Sequence, residues 1–124
     1  MKDFRDLKVW ERAHGLTLEI YRVTVRFPRE ELYGLTSQMR RCCASIGANI
    51  AEGCGKRSNA DFQRFFQIAS GSASELDYHL LLARDLRFLA DADYQQIVKE
   101  LSAMRRMLTA LVQKVDSERW MAKC

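Results

Sequence analysis

Tyr94, Ile97, Leu101, Met104, Leu108, Leu111 and Val115 follow one another at steps of three and four without interruption. Only a helix returns side chains at that spacing to one face, so this run predicts a helix with a single apolar stripe. Such a stripe needs a partner surface, and three further runs supply it. Trp10, Ala13, Thr17, Ile20, Thr24 and Phe27 repeat the spacing up to Pro28, which cannot continue a helix. After the FPREELYGL turn, Leu35, Met39, Cys43, Ile46 and Ile50 mark a second apolar edge, and Gly53 and Gly55 are expected to end it. Ser58 and Asn59 suit a helix N-cap, and Phe62, Phe65, Phe66, Ala69, Ala73, Leu76, Leu80, Ala83 and Leu86 carry a third helix to about Leu89. The predicted helices span about 7–27, 35–52, 59–89 and 93–116, with a tail over 117–124. No segment alternates as a strand does, and the connections are short. The fold class predicted is all-α, a single-domain antiparallel up-and-down four-helix bundle.

A chain of 124 residues with 48% hydrophobic and 29% charged residues can bury one core and is not compositionally disordered. It has no run of eighteen apolar residues, so no membrane span is expected. The charged start, MKDFRDLKVW, lacks the apolar stretch of a signal peptide, and the expected location is the cytoplasm. Cys42, Cys43, Cys54 and Cys124 form no C-x-x-C pair, and only His14 and His79 could assist them. Cys42 and Cys43 are therefore expected to be small apolar fillers, and no metal, cofactor or catalytic thiol is expected.

A second line of residues runs beside the apolar edge of the second helix. Gln38, Cys42, Ser45, Asn49 and Glu52 succeed one another at steps of four, three, four and three, and the third helix is thin through Ala69, Gly71, Ser72, Ala73 and Ser74. Close backbone approach is the expected reason for Gly71 inside a helix, where glycine costs roughly 1 kcal/mol against alanine. Gln38, Ser45, Asn49, Glu52, Ser72, Glu75 and His79 together define a polar seam read as structural or as an assembly surface, with Asn49 as its register residue. Glu75 and His79 stand one turn apart, yet di-iron bundles need duplicated Glu-x-x-His pairs and more carboxylates. Glu52, Glu75 and His79 therefore give only a weak case for an enzyme.

Net charge is +4, and +3 of it falls between Ser37 and Ser74 through Arg40, Arg41, Lys56, Arg57 and Arg64, set against Glu52 and Asp61. GCGKRS, from Gly53 to Ser58, has the Gly-Lys step of a phosphate-binding P-loop. However, Ile50 occupies the first glycine position, Arg57 the hydroxyl position, and no strand precedes it. A turn between helices is the simpler reading. Arg40, Arg41, Lys56, Arg57 and Arg64, followed by Arg105 and Arg106, are the candidate nucleic-acid contacts, because self-association would multiply a modest positive charge.

LKVWERA, the FP turn before YGL, SQMRR, SIGANIAEG, the Phe-rich helix start and ASGSASEL occur in order across about residues 4–89. In this the chain resembles the four-helix bundle proteins encoded by intervening sequences within bacterial 23S rRNA genes. The resemblance implies a homopentameric ring with a central channel. It also implies kinship to the accessory variability protein of diversity-generating retroelements, which works with a reverse transcriptase and its template RNA. Gly47 departs from the family's SIPANIAEG pattern, and its place in mid-helix implies a straighter or looser second helix. The function expected is a non-enzymatic, homopentameric basic scaffold that binds nucleic acid, with RNA preferred. The alternative is an adaptor that docks a partner enzyme such as a retroelement reverse transcriptase.

Overall fold

Four α-helices carry the chain because each apolar stripe finds the next one across a connection of four to ten residues. The structure, a computed structural model, describes residues 3–117: α1 (Lys8–Thr24), α2 (Leu35–Cys54), α3 (Asn59–Asp85) and α4 (Asp91–Ser117), with short 3-10 turns at Phe4–Asp6 and Arg29–Glu31. There is no strand among the described residues. The expected tail beyond Ser117 and Cys124 lie outside them.

The order of contacts along each helix pair fixes the topology. On α1 and α2, the Trp10 indole lies 3.5 Å from the position a Gly47 Cβ would take, Thr17 Oγ1 donates to the Cys43 carbonyl at 3.3 Å, and Arg40 Nε donates to Thr24 Oγ1 at 2.9 Å. As α1 advances, α2 retreats, so the two are antiparallel. The α2–α3 pair is the most extensive and runs the same way, from Cys42 against His79 through Ser45 against Ser72 to Gly53 against Phe66. Arg105 reaches Asp77 at 3.2 Å while Arg84 stacks over the Tyr94 ring, and Arg12–Glu100 and Arg22–Asp93 return α4 to α1. The core between the four holds Ile20, Met39, Ile46, Ile50, Phe62, Phe66, Leu76, Leu80, Ile97, Leu101, Met104 and Leu108, all fully buried.

Several ends differ from the sequence reading, each for a local reason. The α1 helix stops at Thr24, where a 3-10 bond from the Phe27 N–H to the Thr24 carbonyl (3.1 Å) tightens the last turn. Phe27 is still buried, against Phe88. Along α1 the buried residues are Val9, Ala13, Leu16, Ile20, Val23 and Thr24, leaving Trp10 and Thr17 half-buried. The α3 helix ends at Asp85 because Arg87 takes a φ of 64°, in the left-handed region. The Phe88 N–H then bonds the Ala83 carbonyl and the Arg87 N–H the Arg84 carbonyl, both at 2.9 Å, which is the Schellman closure. Leu86, expected in the stripe, is therefore exposed. Ser58, rather than Asn59, caps α3, its Oγ accepting from the Asp61 N–H at 3.1 Å.

The glycines are the larger correction. Gly55 is the C-cap of α2, as expected, whereas Gly53 lies within the helix's last turn, buried, where a Cβ would stand 2.9 Å from Phe66 Cε1 and 3.3 Å from Phe65 Cβ. Gly71, expected at a close approach, is exposed and has nothing within 4 Å of its Cβ position. The α2 helix runs unbroken across Gly47, whose bare face is covered by Trp10.

These contacts predict opposite signs for two alanine substitutions on one helix. Gly47→Ala meets ordinary van der Waals space and should stabilise the chain by about 1 kcal/mol through helix propensity, whereas Gly53→Ala should destabilise it by about 1–3 kcal/mol through overpacking. Arg87→Gly relieves the left-handed backbone and should add about 1 kcal/mol. Urea denaturation followed by circular dichroism measures all three.

Candidate functional site

The groove where α2 meets α3 gathers most of the polar seam. Asn49 Nδ2 donates to the Ser45 carbonyl (2.8 Å) and Ser45 Oγ (3.0 Å), and Ser45 Oγ lies 3.0 Å from Ser72 Oγ on α3. Asn49 thus bonds its own helix, and the crossing to α3 is made by the serine pair. A turn away, Cys42 Sγ lies 3.8 Å from His79 Nδ1, which is 3.9 Å from Glu75 Oε2. Arg41 spans the outer edge, with Nη2 3.2 Å from Gln38 Oε1 and 3.7 Å from Glu75 Oε2. Glu52 stands apart at the far end of α2, 3.8 Å from Lys56 Nζ. The residues Ser45, Asn49 and Ser72 therefore form one cluster, Cys42, Glu75 and His79 a second, and Gln38 joins the second only through Arg41.

Cys42 is the member that spacing did not link to Glu75 and His79. It is 1% exposed, and the Glu75 carboxylate on α3 is close enough to act on its sulfur. Burial first, and Glu75 second, push its thiol up to about 12 from the usual 9.0. Burial pushes the Cys43 thiol up to about 11, partly offset by its hydrogen bond with Thr17. Neither is a nucleophilic thiolate at neutral pH. The signal that could have found Cys42 is register: in an antiparallel pair fixed by Ser45 against Ser72, residue 42 falls level with residues 75–79.

The basic candidates divide by place. Lys56, Arg57 and Arg64 gather at the α2–α3 turn, where Lys56 Nζ (5.0 Å) and Arg64 Cζ (4.7 Å) both approach the Phe65 ring. Lys56 and Arg64 are each 3.8 Å from a carboxylate, of Glu52 and Asp61, whereas Arg57 is exposed and has no partner among the described residues. Arg40 and Arg41 stand near the other end of α2. Arg40 is half-buried, bonded to Thr24 and stacked over Tyr21 at 4.7 Å, so its charge is largely committed to the fold. Arg105 is tied to Asp77 and Ser74, while Arg106 is exposed and without a partner among the described residues. The seven candidates are not one surface.

With these positions in place, the chain can be set beside known proteins. The sequence pattern that defines the 23S rRNA-intervening sequence protein family matches residues 5–110. The chain belongs to that family. A solved structure of similar fold is the 1.70 Å crystal structure of a protein of unknown function from the S23 ribosomal protein family of Bacteroides thetaiotaomicron; it is 25% identical, with a TM-score of 0.76 over 84% of this chain and 97% of that one. No match is found among curated proteins. Family membership agrees with the four-helix architecture, and it assigns no chemistry to the groove. No helix of the described residues is long and apolar enough to cross a membrane.

The two raised thiols set a direction for alkaline pH. Their folded values lie above the unfolded value of 9.0, so their contribution to stability is fully present below pH 9.0 and is lost as pH rises toward 11 and 12. Urea midpoints taken at increasing pH should fall through this window, and the fall should be shallower when Cys42→Ala and Cys43→Ala are combined.

Proposed function

We propose that this member of the 23S rRNA-intervening sequence protein family is a non-enzymatic cytoplasmic scaffold that self-associates as a homopentameric ring and binds RNA through basic side chains. The observation that carries the reading is the placement of Lys56 and Arg64 over the Phe65 ring, with the exposed Arg57 in the same turn, at one end of the bundle. Cations that can engage phosphates beside an aromatic edge are the ordinary means of holding a nucleic acid without reading its sequence. A ring repeats the cluster once per protomer, which turns a +4 chain into a strongly positive assembly. Among the described residues, the raised Cys42 and Cys43 thiols and the scattered carboxylates offer no activated nucleophile, which supports a scaffold over an enzyme.

An exposed apolar face favours a second reading, the adaptor. Leu18, Tyr21 and Val25, on and just past α1, continue into Leu32 and Tyr33 of the following turn, with Val25 74% and Tyr33 93% exposed. A face of this kind suits a protein contact, either a second copy or a partner such as a reverse transcriptase.

Fluorescence anisotropy with single-stranded RNA across ionic strength separates the two. The scaffold predicts binding that weakens steeply with salt. Combining Lys56→Ala, Arg57→Ala and Arg64→Ala should cut affinity tenfold or more at low salt and reduce the salt slope by about one for each phosphate no longer neutralised. No binding at low salt would sink it. Sedimentation velocity tests the ring: a monomer at micromolar concentration contradicts the pentamer, and Tyr33→Glu with Val25→Glu should dissociate it if that face is the interface. Recovery of one stoichiometric protein from the native host after nuclease treatment would favour the adaptor.

A further inference from the structure

The Cys42, Glu75 and His79 side chains are brought together by two helices and are used by neither reading above. Their ligand atoms, a sulfur, an imidazole nitrogen and a carboxylate oxygen, all lie within 4.8 Å of one another. Sulfur to nitrogen is 3.8 Å and nitrogen to oxygen 3.9 Å. In a tetrahedral zinc site, bonds of about 2.3 Å to sulfur and about 2.0–2.2 Å to nitrogen and oxygen put neighbouring donors roughly 3.3–3.6 Å apart. These two separations need to close by only a few tenths of an ångström, and sulfur to oxygen, within 4.8 Å, by at most about 1.2 Å at the exposed Glu75 carboxylate.

Burial is graded in the way a binding site needs. The cysteine is enclosed, the histidine side chain is 13% exposed and the glutamate side chain 41% exposed, so the donors open toward solvent from the inside outward. Glu75 and His79 are held one turn apart on α3, and the Ser45–Ser72 contact holds Cys42 level with them from α2. The competing cation is Arg41, whose guanidinium is 3.7 Å from Glu75 with both side chains substantially exposed, a pair weak enough to be displaced.

We propose that Cys42 Sγ, His79 Nδ1 and Glu75 Oε2 bind one divalent cation of the zinc class, with water completing the coordination. The mixed sulfur, nitrogen and oxygen donor set excludes magnesium and calcium, which take oxygen ligands, and selects a borderline-soft ion. Binding exchanges the Cys42 thiol proton for the metal: the S–H bond breaks, the sulfur keeps its electron pair and forms the metal–sulfur bond, and one proton is released to solvent. No change of oxidation state occurs. The site would tie α2 to α3 where the Asn49–Ser45–Ser72 contacts leave off.

Titration of the reduced, metal-stripped full chain with Co2+ tests the assignment. The expected result is saturation at one equivalent per chain, with a thiolate-to-cobalt charge-transfer band that Zn2+ abolishes. Affinity should rise about tenfold per pH unit near neutrality as the single thiol proton is displaced, with Cys42, Glu75, His79 and Arg41 the titratable or charged groups facing the metal. Cys42→Ser should remove the charge-transfer band. His79→Gln and Glu75→Gln, on the more open side of the site, should each weaken Co2+ binding tenfold or more while leaving helical circular dichroism unchanged, which keeps the test valid if Cys42→Ser fails to fold. Absence of a saturable band in the unaltered chain overturns the proposal, as does a band that survives Cys42→Ser or an affinity unmoved by both α3 substitutions.

Discussion

Helices α2 and α3 meet along small side chains, and the other contacts of the bundle are arranged around that meeting. Gly53 lies against Phe66 at a separation that leaves no room for a methyl group, and the Ser45 and Ser72 hydroxyls touch across the groove. Bulkier residues at these points would push the helices apart and unpack Phe62, Phe66, Leu76 and Leu80, all of them wholly buried. The serine pair also sets the register: with Ser45 opposite Ser72, Cys42 arrives beside Glu75 and His79 and nowhere else. A packing constraint thus determines which reactive side chains share a neighbourhood.

Periodicity made the helices legible, since an apolar stripe at steps of three and four has only one backbone that satisfies it. What it could not give was the rotation of α1. Trp10 and Thr17 fit the same template as Val9 and Leu16, and only the partner helices decide which of two adjacent stripes turns inward. The end of α3 was hidden for a different reason, because Arg87 holds the left-handed position where glycine is the usual sign of a stop. Glycine misled in the opposite sense as well: Gly53 reads as a terminator and Gly71 as a contact, whereas the fold uses the first for contact and leaves the second open. Residue type alone carries no information on what stands opposite.

The charge pattern was readable as a total and much less so as a surface. Arg40 and Arg105 count fully toward a net charge, yet each is bonded to a neighbouring helix, and Arg41 is shared between Gln38 and Glu75. Such pairing depends on antiparallel register, which brings residues far apart in sequence to the same level. Arg57 and Arg106 keep their charge for solvent, and they lie on different parts of the bundle. A basic composition in a small helical protein is therefore partly spent on holding helices in order.

The antiparallel order has a practical bearing on how the molecule can be handled. Because each helix reverses the one before it, the start of α1, the turn joining α2 to α3 and the close of α4 all stand at one end of the bundle. That end also carries Lys56 and Arg57. An affinity tag, dye or fused carrier joined ahead of α1 or after α4 would crowd that corner and alter its electrostatic field, whereas a label placed in the turn between α3 and α4 stands at the far end and leaves it clear.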